Sequence, residues 1–134
     1  MRKTAVALCI AASSLLTSCA TTPSPALQAK QAEFNQTIPV CTDEKDCKAK
    51  WEAAQIWIVR NSGYKIQTAT DVLLQTYNPT GGDPKIGVQA VKEPLGGGQY
   101  RIVVKVYCDN IFGCVPNSWD AAIDFNRVVG AATP

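Results

Sequence analysis

The side chains in this 134-residue sequence whose spacing speaks most clearly of chemistry are its six cysteines, at positions 9, 19, 41, 47, 108 and 114. Histidine is absent. That removes Ser-His-Asp and Cys-His nucleophile pairs, His-ligated zinc and haem, and any histidine pH switch. Cys41 and Cys47 are separated by five residues, and so are Cys108 and Cys114. A dithiol redox centre uses Cys-x-x-Cys, and a thiolate zinc site uses pairs about two to four residues apart. Neither fits. The spacing predicts two local disulfides, Cys41 with Cys47 and Cys108 with Cys114, although it does not exclude the crossed pairing of 41 with 108 and 47 with 114. Closures this short each stabilise a fold by about 2 kcal/mol.

The other chemical candidates are weaker. Asp43, Glu44 and Asp46 could ligate calcium, but acidic residues also suit the positive end of a helix, and that reading is preferred. Gly81-Gly82-Asp83 and Gly96-Gly97-Gly98 lack the Gly-Lys-Ser/Thr that follows a phosphate-binding loop, so they read as turns. Asp71, Asp109, Asp120 and Asp124 form no recognisable acid/base pair. The expectation is a protein without catalytic residues, metal site or diffusible cofactor.

The first residues carry a different signal. Met1-Arg2-Lys3 is basic, and residues 4–16 are uncharged and largely apolar. That run is shorter than the roughly 20 residues of a membrane-spanning helix and has the form of a secretory signal. It ends in Leu16-Thr17-Ser18-Cys19, which resembles the lipobox of bacterial lipoproteins: an aliphatic residue, two small ones, then cysteine. The resemblance implies cleavage before Cys19, a covalent lipid on its thiol and a membrane anchor at the new N-terminus. Cys9, preceded by the bulky Leu8, fails the same test. Ala20 in place of aspartate implies, by the same resemblance, sorting to the outer membrane with the domain facing the periplasm. More than one acyl chain holds such an anchor stably, at about 0.8 kcal/mol per buried CH₂.

Loss of residues 1–18 removes Arg2 and Lys3, so thirteen basic residues become eleven, against eleven acidic ones. A near-neutral chain offers no electrostatic case for nucleic acid. An exported domain also resides where disulfides form.

Residues 19–37 are expected to tether the domain. Their start, Ala20-Thr21-Thr22-Pro23-Ser24-Pro25, is small, polar and proline-bearing, and Ser24-Pro25 could cap a short helix. Residues 38–134 are expected to fold as one domain. Cys47, Trp51, Ala54 and Ile58 recur at steps of four, three and four, the stripe of an amphipathic helix over residues 43–61. Thr42 or Asp43 would cap it, and Gly63 would end it in a left-handed conformation. Alternation over residues 64–68, 72–77, 86–90 and 100–107 predicts four strands joined by short turns, hence an antiparallel meander. Pro116-Asn117-Ser118 opens a last helix carrying Ala122, Phe125, Val128 and Val129. The expected fold is α+β, helix-strand-strand-strand-strand-helix, with both helices on one face of the sheet.

Two surfaces remain for a partner. If Tyr100, Ile102, Val104 and Val106 point inward, then Arg101, Val103, Lys105 and Tyr107 point outward, joined by Lys65 and Gln67, and could meet a protein of the cell envelope. Between Cys108 and Cys114, Ile111 and Phe112 are adjacent large apolar residues, expected to tuck under the sheet. The functional expectation is a membrane-anchored, non-catalytic binding or envelope-assembly module. The alternatives are an inhibitor of a lysozyme or protease and, more weakly, a hydrolase without histidine.

Overall fold

The computed structural model describes residues 23–134, so Cys19 and its lipobox lie outside the described residues. The order is α1 (Pro25–Thr37), β1 (Val40–Cys41), α2 (Glu44–Asn61), β2 (Ile66–Ala69), β3 (Leu73–Thr76), β4 (Gly87–Gly96), β5 (Gln99–Tyr107) and α3 (Ser118–Gly130). All strand pairs are antiparallel, in the order β1-β5-β4-β3-β2. The class is α+β with the expected meander over β2 to β5. It has one more strand and one more helix than the sequence periodicity predicts.

The added strand, β1, pairs Val40 with Arg101 and Cys41 with Tyr100. Two residues carry no period, so nothing in the alternation could reveal it. The added helix covers residues expected to act as a tether. Ser24 caps α1 by accepting from the Leu27 N–H at 3.3 Å, and Pro25 takes the first position, which needs no N–H donor. One aromatic contact and several polar ones hold α1 to α3. Phe34 meets Trp119 edge to face with ring centroids 5.9 Å apart. Lys30 pairs with Asp120 at 2.6 Å, Glu33 pairs with Arg127, and Asn126 Nδ2 donates to Phe34 O at 3.1 Å. A helix docked mainly through polar groups has no apolar stripe to betray it.

Helix α2 follows its stripe: Cys47, Ala54, Trp57 and Ile58 are buried and Trp51 is half-buried. Asp43 caps it, accepting from Asp46 N at 2.9 Å. Gly63 serves a different purpose from the expected left-handed stop. The cap is Ser62, and a Cβ at Gly63 would lie 2.3 Å from Lys85 Cβ, so glycine lets the chain pass beside the start of β4. Helix α3 buries Ala122, Phe125 and Val129 with Ala121 and Ile123, while Val128 faces solvent. The core joins Trp57, Ile58 and Phe125 to Leu74, Ile86, Val88, Ile102 and Val104. Trp57 and Phe125 are edge to face at 5.3 Å, and Trp57 Nε1 donates to Asp124 Oδ2 at 2.8 Å. Trp57 thus satisfies packing and polarity together.

The β4–β5 hairpin reaches beyond β3. Gly97 and Gly98 turn it with φ of 61° and 81°, a geometry glycine adopts without penalty. Pro94 lies within β4, opposite Tyr100. The β3–β4 pairing ends at Leu73–Val91, beyond which only Lys92 N reaches across, to Val72 O at 2.9 Å. Pro94 therefore sits where β4 has become an edge, and its missing N–H costs no ladder bond.

Candidate functional site

The four cysteines of the domain join as two neighbouring pairs. Cys41 and Cys47 bring their sulfurs to 1.92 Å with Cα atoms 4.9 Å apart. Cys108 and Cys114 do so at 1.99 Å and 5.8 Å. The first bond fixes β1 to the opening turn of α2, with Cys41 fully buried. The second closes the loop between β5 and α3.

That closed loop departs from expectation. Ile111 and Phe112 do not tuck under the sheet; each is 93% exposed, and Val115 just beyond the bond is 83% exposed. The reason is visible in the polar contacts below them. Asn110 folds the loop locally: its Oδ1 accepts from Phe112 N at 2.8 Å, and its backbone carbonyl accepts from Gly113 N at 3.0 Å. Its Nδ2 donates to Gly82 O in the β3–β4 loop. Val115 N donates to Pro84 O at 2.8 Å, and Cys114 Sγ lies against the same segment, 3.6 Å from Lys85 O. The inner side of the loop is thus occupied by backbone and sulfur, leaving Ile111 and Phe112 to point outward. Two large apolar side chains on a cross-linked, hydrogen-bonded base incur little ordering cost when a partner covers them. Fully burying such side chains is worth about 1.5–3 kcal/mol each.

The open sheet face is organised differently. Arg101, Val103, Lys105 and Tyr107 share the face opposite the helices, since their neighbours Ile102 and Val104 are in the core. Lys65 and Gln67 lie across the sheet from them. Lys65 precedes β2, and Gln67 lies at the irregularity between Ile66 and Thr68, three strands and about 14 Å away. Most polar groups on the face already have partners. Arg101 Nε donates to Glu93 Oε2 at 2.7 Å, Tyr107 OH donates to Gln89 Oε1 at 3.3 Å, and Gln89 Nε2 donates to Gln75 Oε1 at 3.3 Å. Val103, Val91 and Leu73 form a half-buried apolar row between them. Lys105 is the exception, exposed and without a hydrogen bond or salt bridge among the described residues; the rest of the face is a cross-linked polar surface.

The acidic residues at the start of α2 serve that helix. Besides the Asp43 cap, Asp46 accepts from Thr42 N at 3.0 Å and pairs with Lys50 at 3.0 Å, and the Lys50 hydrogen bond holds its carboxyl below the usual carboxylate range. Comparison with protein families, curated proteins and solved structures finds no match for this chain.

Proposed function

We propose that this chain is a bacterial lipoprotein, anchored through an acylated Cys19, whose non-catalytic domain binds a protein of the cell envelope through the loop closed by Cys108 and Cys114. The exposure of Ile111 and Phe112 on a braced loop carries the reading. Soluble proteins seldom expose adjacent large apolar side chains on a braced loop unless something covers them, and a few well-buried contacts carry most of an interface's binding energy. The lipobox supplies the anchor, and Ala20 favours the outer membrane with the domain in the periplasm. No role for nucleic acid or a diffusible cofactor enters.

The same loop also supports the second reading, inhibition of a lysozyme or protease, because a braced convex loop suits an enzyme cleft. Anchoring separates the two. Cross-linking in intact cells, with Cys19→Ser as the control, should capture a discrete envelope protein that the unanchored variant loses. A partner held equally well by the soluble Cys19→Ser protein would favour inhibition, and capture of nothing by either would contradict both.

A further inference from the structure

A second site lies at the N-terminal end of α2. Between the first turns of that helix and the β4–β5 hairpin runs an open groove of about 760 Å³, walled by Trp51 and Tyr100 and bordered by Gly97 and Gly98. The Trp51 ring is held in place by its own N–H, which donates to Thr70 O at 3.1 Å.

Lys92 is the unusual member. The register sets it opposite Ile102, on the inward face of β4 in line with Val88 and Ala90, both buried. Its ammonium lies 5.4 Å from the centre of the Trp51 ring and 5.5 Å from that of Tyr100. Among the described residues no salt bridge or hydrogen bond engages that nitrogen. Two π faces are its partners, a geometry attractive to any cation. The groove's lining also holds the carboxylates of Asp43, Glu44, Glu52 and Asp71: Asp43 already caps α2 and Glu52 lies 4.0 Å from Lys48, which leaves Glu44 and Asp71 without a partner among the described residues. Acidic walls around an aromatic pair disfavour anions and suit a second cation.

We infer that the groove is a binding site for cationic side chains, lysine or arginine on an extended peptide segment of a partner, and that Lys92 is the resident cation such a side chain displaces. The carboxylates supply charge, the two rings supply the cradle, and the unpaired Lys92 ammonium moves aside into water on its flexible stem. The site is independent of the Ile111–Phe112 loop.

The arrangement makes an unusual demand on mutants. Calorimetric titration of the purified full-length chain with a short oligolysine peptide should show binding that weakens as salt rises. Lys92→Met keeps the apolar stem and removes the competitor, so affinity should rise about 2- to 5-fold. Trp51→Ala should weaken binding about 10-fold, with Trp51→Phe recovering part of it. Circular dichroism melts check that each variant folds. Weaker binding by Lys92→Met would overturn the inference, as would indifference to Trp51→Ala. So would a preference for oligoglutamate or a neutral oligosaccharide over oligolysine.

Discussion

The side-chain amide of Asn110 donates to the carbonyl of Gly82, joining the loop after β5 to the loop before β4. With the Cys108–Cys114 bond it fixes the base from which Ile111 and Phe112 project. Support and contact are therefore separate residues, and they should respond differently to mutation.

Replacing Ile111 and Phe112 with serine removes side chains that bury almost nothing in the free protein. The unfolding free energy should stay within about 0.5 kcal/mol of wild type in urea titrations. Partner capture should fall sharply. A large loss of stability would mean that the two side chains pack within the domain.

Replacing Cys108 and Cys114 together with serine opens a short closed loop, at a cost of about 2 kcal/mol. The same denaturant titration measures it. Capture should weaken in the folded variant as well, because the contact residues then have to be ordered on binding. Unchanged capture would show that bracing is unrelated to recognition.

Phe34→Ala removes the aromatic contact that joins α1 to α3 and should destabilise the domain by about 2 kcal/mol, less than a fully buried phenylalanine because Phe34 is half-buried. A variant as stable as wild type would return residues 25–37 to the role of a tether.

Asp46 provides a pH test. Its carboxyl titrates below the usual range in the folded chain, the Lys50 hydrogen bond being the largest cause. A depressed acid contributes stability above its unfolded pKa, near 4, and loses that contribution as pH falls through the lower folded value. Asp46→Asn should therefore show a shallower loss of stability below about pH 4 than wild type. Identical acid limbs would place the interaction outside the stability of the fold.

What the sequence reveals about this fold follows the physics of each element. Helix α2 is legible because its packing is apolar and periodic, and strands β2 to β5 are legible because alternation tracks the two faces of a sheet. Helix α1 shows in the sequence only through its Ser24-Pro25 start, because Lys30, Glu33 and Asn126 contribute polar contacts, which leave no periodic trace. The disulfide pairing follows from spacing, but the direction of Ile111 and Phe112 does not. It depends on Asn110 meeting Gly82, a contact between residues 28 positions apart. Lys92 lies beyond the alternation read over residues 86–90, in the part of β4 that the sequence does not show, and its two aromatic neighbours come from α2 and β5.

The most direct test of the proposed role is site-specific photo-cross-linking in intact cells. A photoreactive residue would replace Phe112 in the full-length chain, and in a control it would replace Gln55 on the exposed side of α2. The account predicts one discrete envelope protein cross-linked from position 112, absent from position 55 and lost when Ile111→Ser is added. No adduct from position 112, or the same adducts from both positions, would contradict it.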